Sequence, residues 1–119
     1  MFNADAVSRP SDRQSKYNDP RAAEGGKNLD DVWLDIPRLA GTHRERIPTF
    51  PTQLPLELLT RIIACSSDPD DLVLDPFSGS GTTCLAAINL KRRFIGFEVS
   101  ERFALLSRTR VLAECQRHA

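Results

Sequence analysis

Apolar side chains fall into regular spacing only in the second half of the chain. Leu56, Leu59, Ile62 and Ile63 recur at intervals of three and four behind Pro55, a residue suited to a first helical turn. An amphipathic helix is therefore predicted from Pro55 to about Ser66. It runs into Ser66-Ser67-Asp68-Pro69-Asp70, a cluster of turn formers. Leu72-Val73-Leu74 is short and wholly apolar, the pattern of a strand buried on both faces of a parallel sheet. Ser78-Gly79-Ser80-Gly81 makes a glycine loop, Thr82 to Leu90 reads as a second helix and Arg93 to Glu98 as a second strand. Ser100 is a good N-cap for a last helix through about Gln116. Strand, crossover helix and strand in this order predict a right-handed βαβ unit of Rossmann type.

Upstream the pattern fades. Val32-Trp33-Leu34-Asp35-Ile36-Pro37 alternates like a short edge strand stopped by proline, and Gly41 to Arg46 reads as a polar loop. Residues 1–30 hold few large apolar side chains and many turn formers, so they are expected to be loop or disordered, with residues 31–119 forming the folded part. At 40% hydrophobic and 27% charged residues, collagen-like, disulfide-dense and fully disordered classes are excluded. No apolar run approaches the roughly 20 residues of a membrane helix. Met1-Phe2-Asn3-Ala4-Asp5 lacks the basic and apolar regions of a signal peptide, so a cytoplasmic location without a membrane partner is expected. Cys65, Cys84 and Cys115 are far apart, without metal or redox spacing, and are expected to be buried or half-buried thiols.

Charge adds one feature. The chain is formally neutral, yet residues 1–90 carry nine basic and thirteen acidic side chains while residues 91–119 carry seven and three. The C-terminal excess, from Lys91, Arg92, Arg93, Arg102, Arg108, Arg110 and Arg117, is read first as a solvated face of helix and turn, and second as a phosphate-facing surface.

A loop that leaves a parallel strand and enters a helix is where open α/β sheets bind ligands. Asp75-Pro76-Phe77-Ser78-Gly79-Ser80-Gly81-Thr82-Thr83 is not a P-loop, since no Gly-Lys-Ser/Thr follows. Nor is it a full G-x-G-x-x-G, since Cys84 holds the third glycine position. Two close glycines with an acid at the strand end suit a small charged group better than a pyrophosphate. Gly79 and Gly81 would admit close backbone approach, the helix N-terminus offers N–H groups to a carboxylate, and Asp75 can accept from an ammonium or from the loop itself. Glu98 stands 19 residues beyond Gly79 at the second strand's end, placed to bond both hydroxyls of a ribose. A nucleoside carrying an amino-acid group is S-adenosylmethionine in outline.

The Asp75 to Thr83 block resembles the cofactor motif of the DNA amino-methyltransferases, which methylate the exocyclic nitrogen of adenine or cytosine. Pro51-Thr52-Gln53-Leu54-Pro55-Leu56-Glu57-Leu58-Leu59 is similar to that family's His-Pro-Thr-Gln-Lys-Pro segment, with Phe50 in place of the histidine and Leu54 in place of the lysine. Arg92 to Glu98 is similar to the strand carrying the ribose acid. Gly26-Lys27-Asn28, Asp31-Val32-Trp33, Ile36-Pro37-Arg38 and Glu45-Arg46 are similar to the approach to these motifs. The likeness covers roughly residues 25–115. It implies a partial Rossmann-like S-adenosylmethionine-dependent methyltransferase fold, an incomplete parallel sheet with flanking helices. It also implies that Asp75, Phe77, Ser78, Gly79 and Gly81 line the cofactor pocket, that Thr82 caps the following helix, that Glu98 holds the ribose, and that Thr52 and Gln53 close over the cofactor.

One part of the family pattern is missing. The Asp/Asn/Ser-Pro-Pro-Tyr/Phe motif, whose polar groups accept the amine hydrogens while its ring stacks on a flipped-out base, has no counterpart among the Asp-Pro pairs at 19-20, 68-69 and 75-76. The chain is therefore expected to be the C-terminal cofactor-binding part of a site-specific DNA methyltransferase, with adenine favoured over cytosine-N4, inactive alone and meeting double-stranded DNA through the full-length enzyme. The alternative is a cofactor- or DNA-binding module that complements a separate catalytic polypeptide; an unrelated Rossmann nucleotide binder is a third reading. Either of the first two leaves an apolar sheet edge open, so marginal stability, aggregation or dependence on a partner is expected.

Overall fold

Pro55 lies extended at the start of the first long helix, and the next amide, Leu56 N–H, donates to the Glu45 carboxylate at 3.0 Å. A helix starts there because proline ends the preceding loop and an acid eleven residues upstream takes an orphan N–H. The computed structural model, which describes residues 2–118, orders the elements as α1 (Asp12–Ser15), α2 (Leu56–Ser66), β1 (Leu72–Asp75), α3 (Thr82–Asn89), β2 (Arg93–Gly96) and α4 (Glu101–His118). β1 and β2 pair in parallel, with Leu72 beside Arg93 and Asp75 beside Gly96. Among the described residues this is a two-stranded open sheet flanked by helices, the incomplete α/β arrangement expected.

The core sits between α2, α3 and one face of the sheet. Leu59 and Ile63 of α2 meet Ala86 and Ala87 of α3, with Val73 and Phe94 packed against them from the strands. Both alanines have no exposed surface, and their small size lets α3 lie close to α2 and the sheet at once. α3 ends in a Schellman motif: Lys91 N–H returns to Ile88 O at 2.9 Å and Arg92 N–H to Ala87 O at 2.8 Å, with Lys91 left-handed at φ 60°. That turn aims the chain into β2.

The structure departs from the pattern in several places. Val32 to Ile36 forms turns rather than an edge strand. A strand needs a partner ladder, and here the Trp33 indole donates to Asp30 O while Asp35 is drawn to Arg61 at 2.8 Å. β1 is not buried on both faces. Val73 points to the core, but Leu72 and Leu74 are 52% and 60% exposed, because α2, α3 and α4 all gather about the other face. β2 ends at Gly96 rather than Glu98, and α4 runs on to His118. The 1–30 segment contains α1, closed by a reciprocal Ser11–Gln14 capping box, and an antiparallel bridge between Arg9 and Lys27. Asn3 N–H ties this segment to Cys65 O at the end of α2. Of the cysteines, Cys84 is buried and Cys65 half-buried, but Cys115 is exposed. Among the described residues, no helix is long and apolar enough to cross a membrane.

Candidate functional site

Both strands deliver their carboxyl ends to the same edge, and the loops beyond them are tied together. Phe97 N–H donates to Asp75 O at 2.9 Å and Ser78 N–H donates back to Phe97 O at 2.8 Å. The Asp75 carboxylate accepts from Phe77 N–H at 3.0 Å, an Asx-type turn that bends the chain away from the strand. Gly81 N–H closes the next turn on Ser78 O at 2.7 Å. Glu98 joins the two loops: one carboxylate oxygen accepts from Gly79 N–H at 3.0 Å, the other from Ser100 N–H at 2.8 Å. The acid and the glycine, 19 residues apart in the sequence, are thus in direct contact. Since a carboxylate has about four lone-pair sites, each oxygen keeps capacity for another donor.

Of the clefts along this edge among the described residues, two share Phe77. One, of about 120 Å³, is lined by Thr52, Asp75, Phe77, Ser78, Gly79, Ser80, Thr82 and Thr83, with Phe50, Leu54 and Leu59 at its apolar side. The other, of about 340 Å³, lies between Pro76, Phe77, Phe97, Glu98 and Val99. The second alone falls within the ~300–1,000 Å³ of small-molecule sites. The first is polar at the end that meets the N-terminus of α3, whose first-turn N–H groups lack intrahelical carbonyls. The second is a carboxylate flanked by exposed Phe77, Phe97 and Val99.

Of the residues singled out by the sequence, Asp75, Phe77, Ser78, Gly79, Gly81, Thr82, Glu98 and Thr52 converge on this edge. Gln53 is buried beside it, and its amide donates to Glu45 O at 2.7 Å and accepts from Ile47 N–H at 2.8 Å, stitching the preceding loop. Thr82 does not cap α3. The N-cap is Gly81, left-handed at φ 78°, and the Thr82 hydroxyl instead pairs with Ser80 Oγ at 3.0 Å, because the turn places it inside the first helical position. The two glycines also have packing roles. A Cβ on Gly79 would lie 2.7 Å from Phe50 Cζ, and one on Gly81 would run into the Ser107 side chain.

Sequence reasoning missed what lies beneath the loop. Phe50 is buried and meets Phe103 of α4 edge-on at 4.7 Å between ring centres. Arg110, read as part of a solvated basic face, is half-buried and donates to Ser80 O. Burial draws its pKa below the ordinary arginine value, opposed by the nearby Glu45 and Glu114 carboxylates. Arg92 likewise turns inward, donating to Ser67 O at 2.6 Å. The available signal was the spacing of Phe103, Ser107 and Arg110, four and three apart on one helical stripe.

A family model described as DNA methylase, of the N6/N4 class, matches residues 1–108. The chain is 44% identical over 94 residues to the type II methyltransferase M2.MboI of Moraxella bovis, covering 79% of this chain and 34% of that protein. Among solved structures, the complex of M1.HpyAVI with S-adenosylmethionine superimposes with a TM-score of 0.51 at 47% identity, over 52% of this chain and 31% of that one. The cytosine-N4-specific PvuII DNA methyltransferase does so with a TM-score of 0.50 at 30% identity, over 60% and 29%. The chain spans about a third of the length of the proteins it matches.

Proposed function

Because the chain belongs to this DNA methylase family, we propose that it binds S-adenosylmethionine along the Asp75–Glu98 edge and forms the cofactor part of a DNA amino-methyltransferase. The observation that carries the reading is the Glu98–Gly79 contact: it ties Gly79, which lines the cleft at α3, to Glu98, which lines the cleft beside Phe77, and the two clefts share Phe77. The donor set fits the group. Asp75 and the free amides at the start of α3 suit an amino-acid end, Glu98 retains acceptors for two ribose hydroxyls, and Phe77, Phe97 and Val99 offer apolar surface to a base. When bound, the cofactor supplies an electrophilic methyl on a sulfonium.

The residues of this chain hold and orient; they contain no group matching the family motif that accepts the amine hydrogens of a target base. We therefore assign capture of the base, and acceptance of the amine hydrogens while its nitrogen takes the methyl, to a catalytic segment, carried by further chain or by a separate polypeptide, which also meets double-stranded DNA. The uncovered sheet face of Leu72, Leu74 and Ile95 supports this, because it is the apolar surface such a segment would cover. The target is the amino group of adenine or cytosine.

Calorimetric titration with S-adenosylhomocysteine is the test. Folded protein should bind, and Glu98→Ala should weaken binding at least tenfold, the scale of losing one charge-assisted hydrogen bond of about 1.5–3 kcal/mol. Absence of binding by folded protein removes the reading. Methylation of duplex DNA, scored as N6-methyladenine or N4-methylcytosine, should appear only when the catalytic segment of a relative is added.

A further inference from the structure

We propose that α4 sets the shape of the glycine loop from behind, with Arg110 as the main positioning residue for cofactor binding; the cofactor part of this inference rests on the function proposed above. Of three consecutive loop residues, Ser80 and Gly81 meet the same helical stripe directly and Gly79 meets it through Phe50. Gly79 lies on the Phe50 ring, which Phe103 holds edge-on at 4.7 Å. Ser80 O accepts from the Arg110 guanidinium. Gly81 lies against Ser107, whose Cβ would stand 3.1 Å from any Cβ placed there. The stripe is a ruler against which the loop is laid.

Arg110 has the strongest hold because of peptide geometry. Ser80 O and Gly81 N–H belong to one planar unit, so fixing the carbonyl fixes the amide. That amide makes the 2.7 Å bond to Ser78 O which closes the turn entering α3. Ser80 is only 4% exposed. Without the guanidinium its carbonyl loses this donor in a buried place, and the plane is drawn to rotate toward another. Rotation would turn the start of α3 relative to the polar cleft. Arg110 itself lines neither of the two clefts that share Phe77, so it acts through the loop and not on the cofactor.

The experiment uses the 119-residue chain and its Arg110→Met, Arg110→Lys and Ser107→Ala variants. Amide hydrogen exchange at Gly79 and Gly81 reports the loop, exchange in α2 reports the fold, and titration with S-adenosylhomocysteine reports the site. Arg110→Met should speed exchange of Gly81 N–H at least tenfold and weaken binding about tenfold while α2 protection is kept. Arg110→Lys, whose ammonium still donates to one carbonyl, should recover part of both. Ser107→Ala, which removes only the hydroxyl, keeps the test available if Arg110→Met fails to fold, and should speed Gly81 exchange to a smaller degree. Unchanged Gly81 exchange in the folded variants overturns the proposal, as does faster exchange with unchanged affinity. A wild-type chain whose loop responds to Arg110→Met but which binds no S-adenosylhomocysteine upholds the hold of α4 on the loop and instead retires the cofactor assignment.

Discussion

Gly96 brings the end of β2 flush against α3: a Cβ there would lie 2.9 Å from Cys84 Sγ and 3.0 Å from Ser78 Cβ. Burial, reinforced by the nearby Asp75 carboxylate, pushes the Cys84 thiol above the ordinary cysteine range. The protonated thiol therefore stabilises the fold fully below about pH 8.5, the value of a free cysteine, and this contribution is lost as pH rises through the higher folded value. Urea unfolding at rising alkaline pH should show a decline in stability that Cys84→Ala flattens. At pH 8 a thiol reagent should label Cys115 quickly and Cys84 only after unfolding, since they are exposed and buried respectively. At this scale the sequence was informative wherever chemistry is local. Asp75, Glu98 and the paired glycines could be picked out from spacing alone. The packing duties of Gly79 and Gly81 could not, because their partners Phe50 and Ser107 stand far off in the sequence and meet them only in the folded chain.

Among elements, α3 shows how a short helix is stopped without the usual residue. Its Schellman turn places Lys91 at φ 60°, a left-handed conformation that costs an L-residue about 1–2 kcal/mol. Lys91→Gly should remove that strain, give back part of the gain through a freer unfolded chain, and raise stability by about 0.5–1 kcal/mol in chemical denaturation, with cofactor affinity unchanged. Helix periodicity and turn formers located α2, β1, α3, β2 and α4 to within a few residues, because each depends on its own side chains and caps. The strand expected at Val32 to Ile36 failed for the converse reason. Alternation licenses a strand only where a neighbouring backbone can pair with it, and here Arg61 takes Asp35 and the Trp33 ring, at 5.3 Å, out of that register. Exposure of Leu72 and Leu74 was equally invisible, since an apolar run does not say which chain covers it.

As a whole, the molecule is more open than its length requires. A compact chain of this length would have a radius of gyration of about 13.5 Å, against 16.7 Å here. Among the described residues no large side chain is completely buried, so the core is thin. Leu72, Leu74 and Ile95 stand at least 43% exposed on the face opposite α3. The chain alone should self-associate in sedimentation and bind a hydrophobic dye, and both signals should fall when the catalytic segment of a relative is supplied. A sharp, cooperative, monomeric unfolding transition would count against this. The contacts that shape the glycine loop have the opposite character: Phe50, Glu98, Ser107 and Arg110 all come from within the chain. The bare face and the loop contacts thus draw on different residues: Leu72, Leu74 and Ile95 await a cover, while the loop is shaped from within. Grafted onto the catalytic halves of different relatives, the chain should therefore support methylation wherever the half presents an apolar surface to Leu72, Leu74 and Ile95, and fail where that surface is charged.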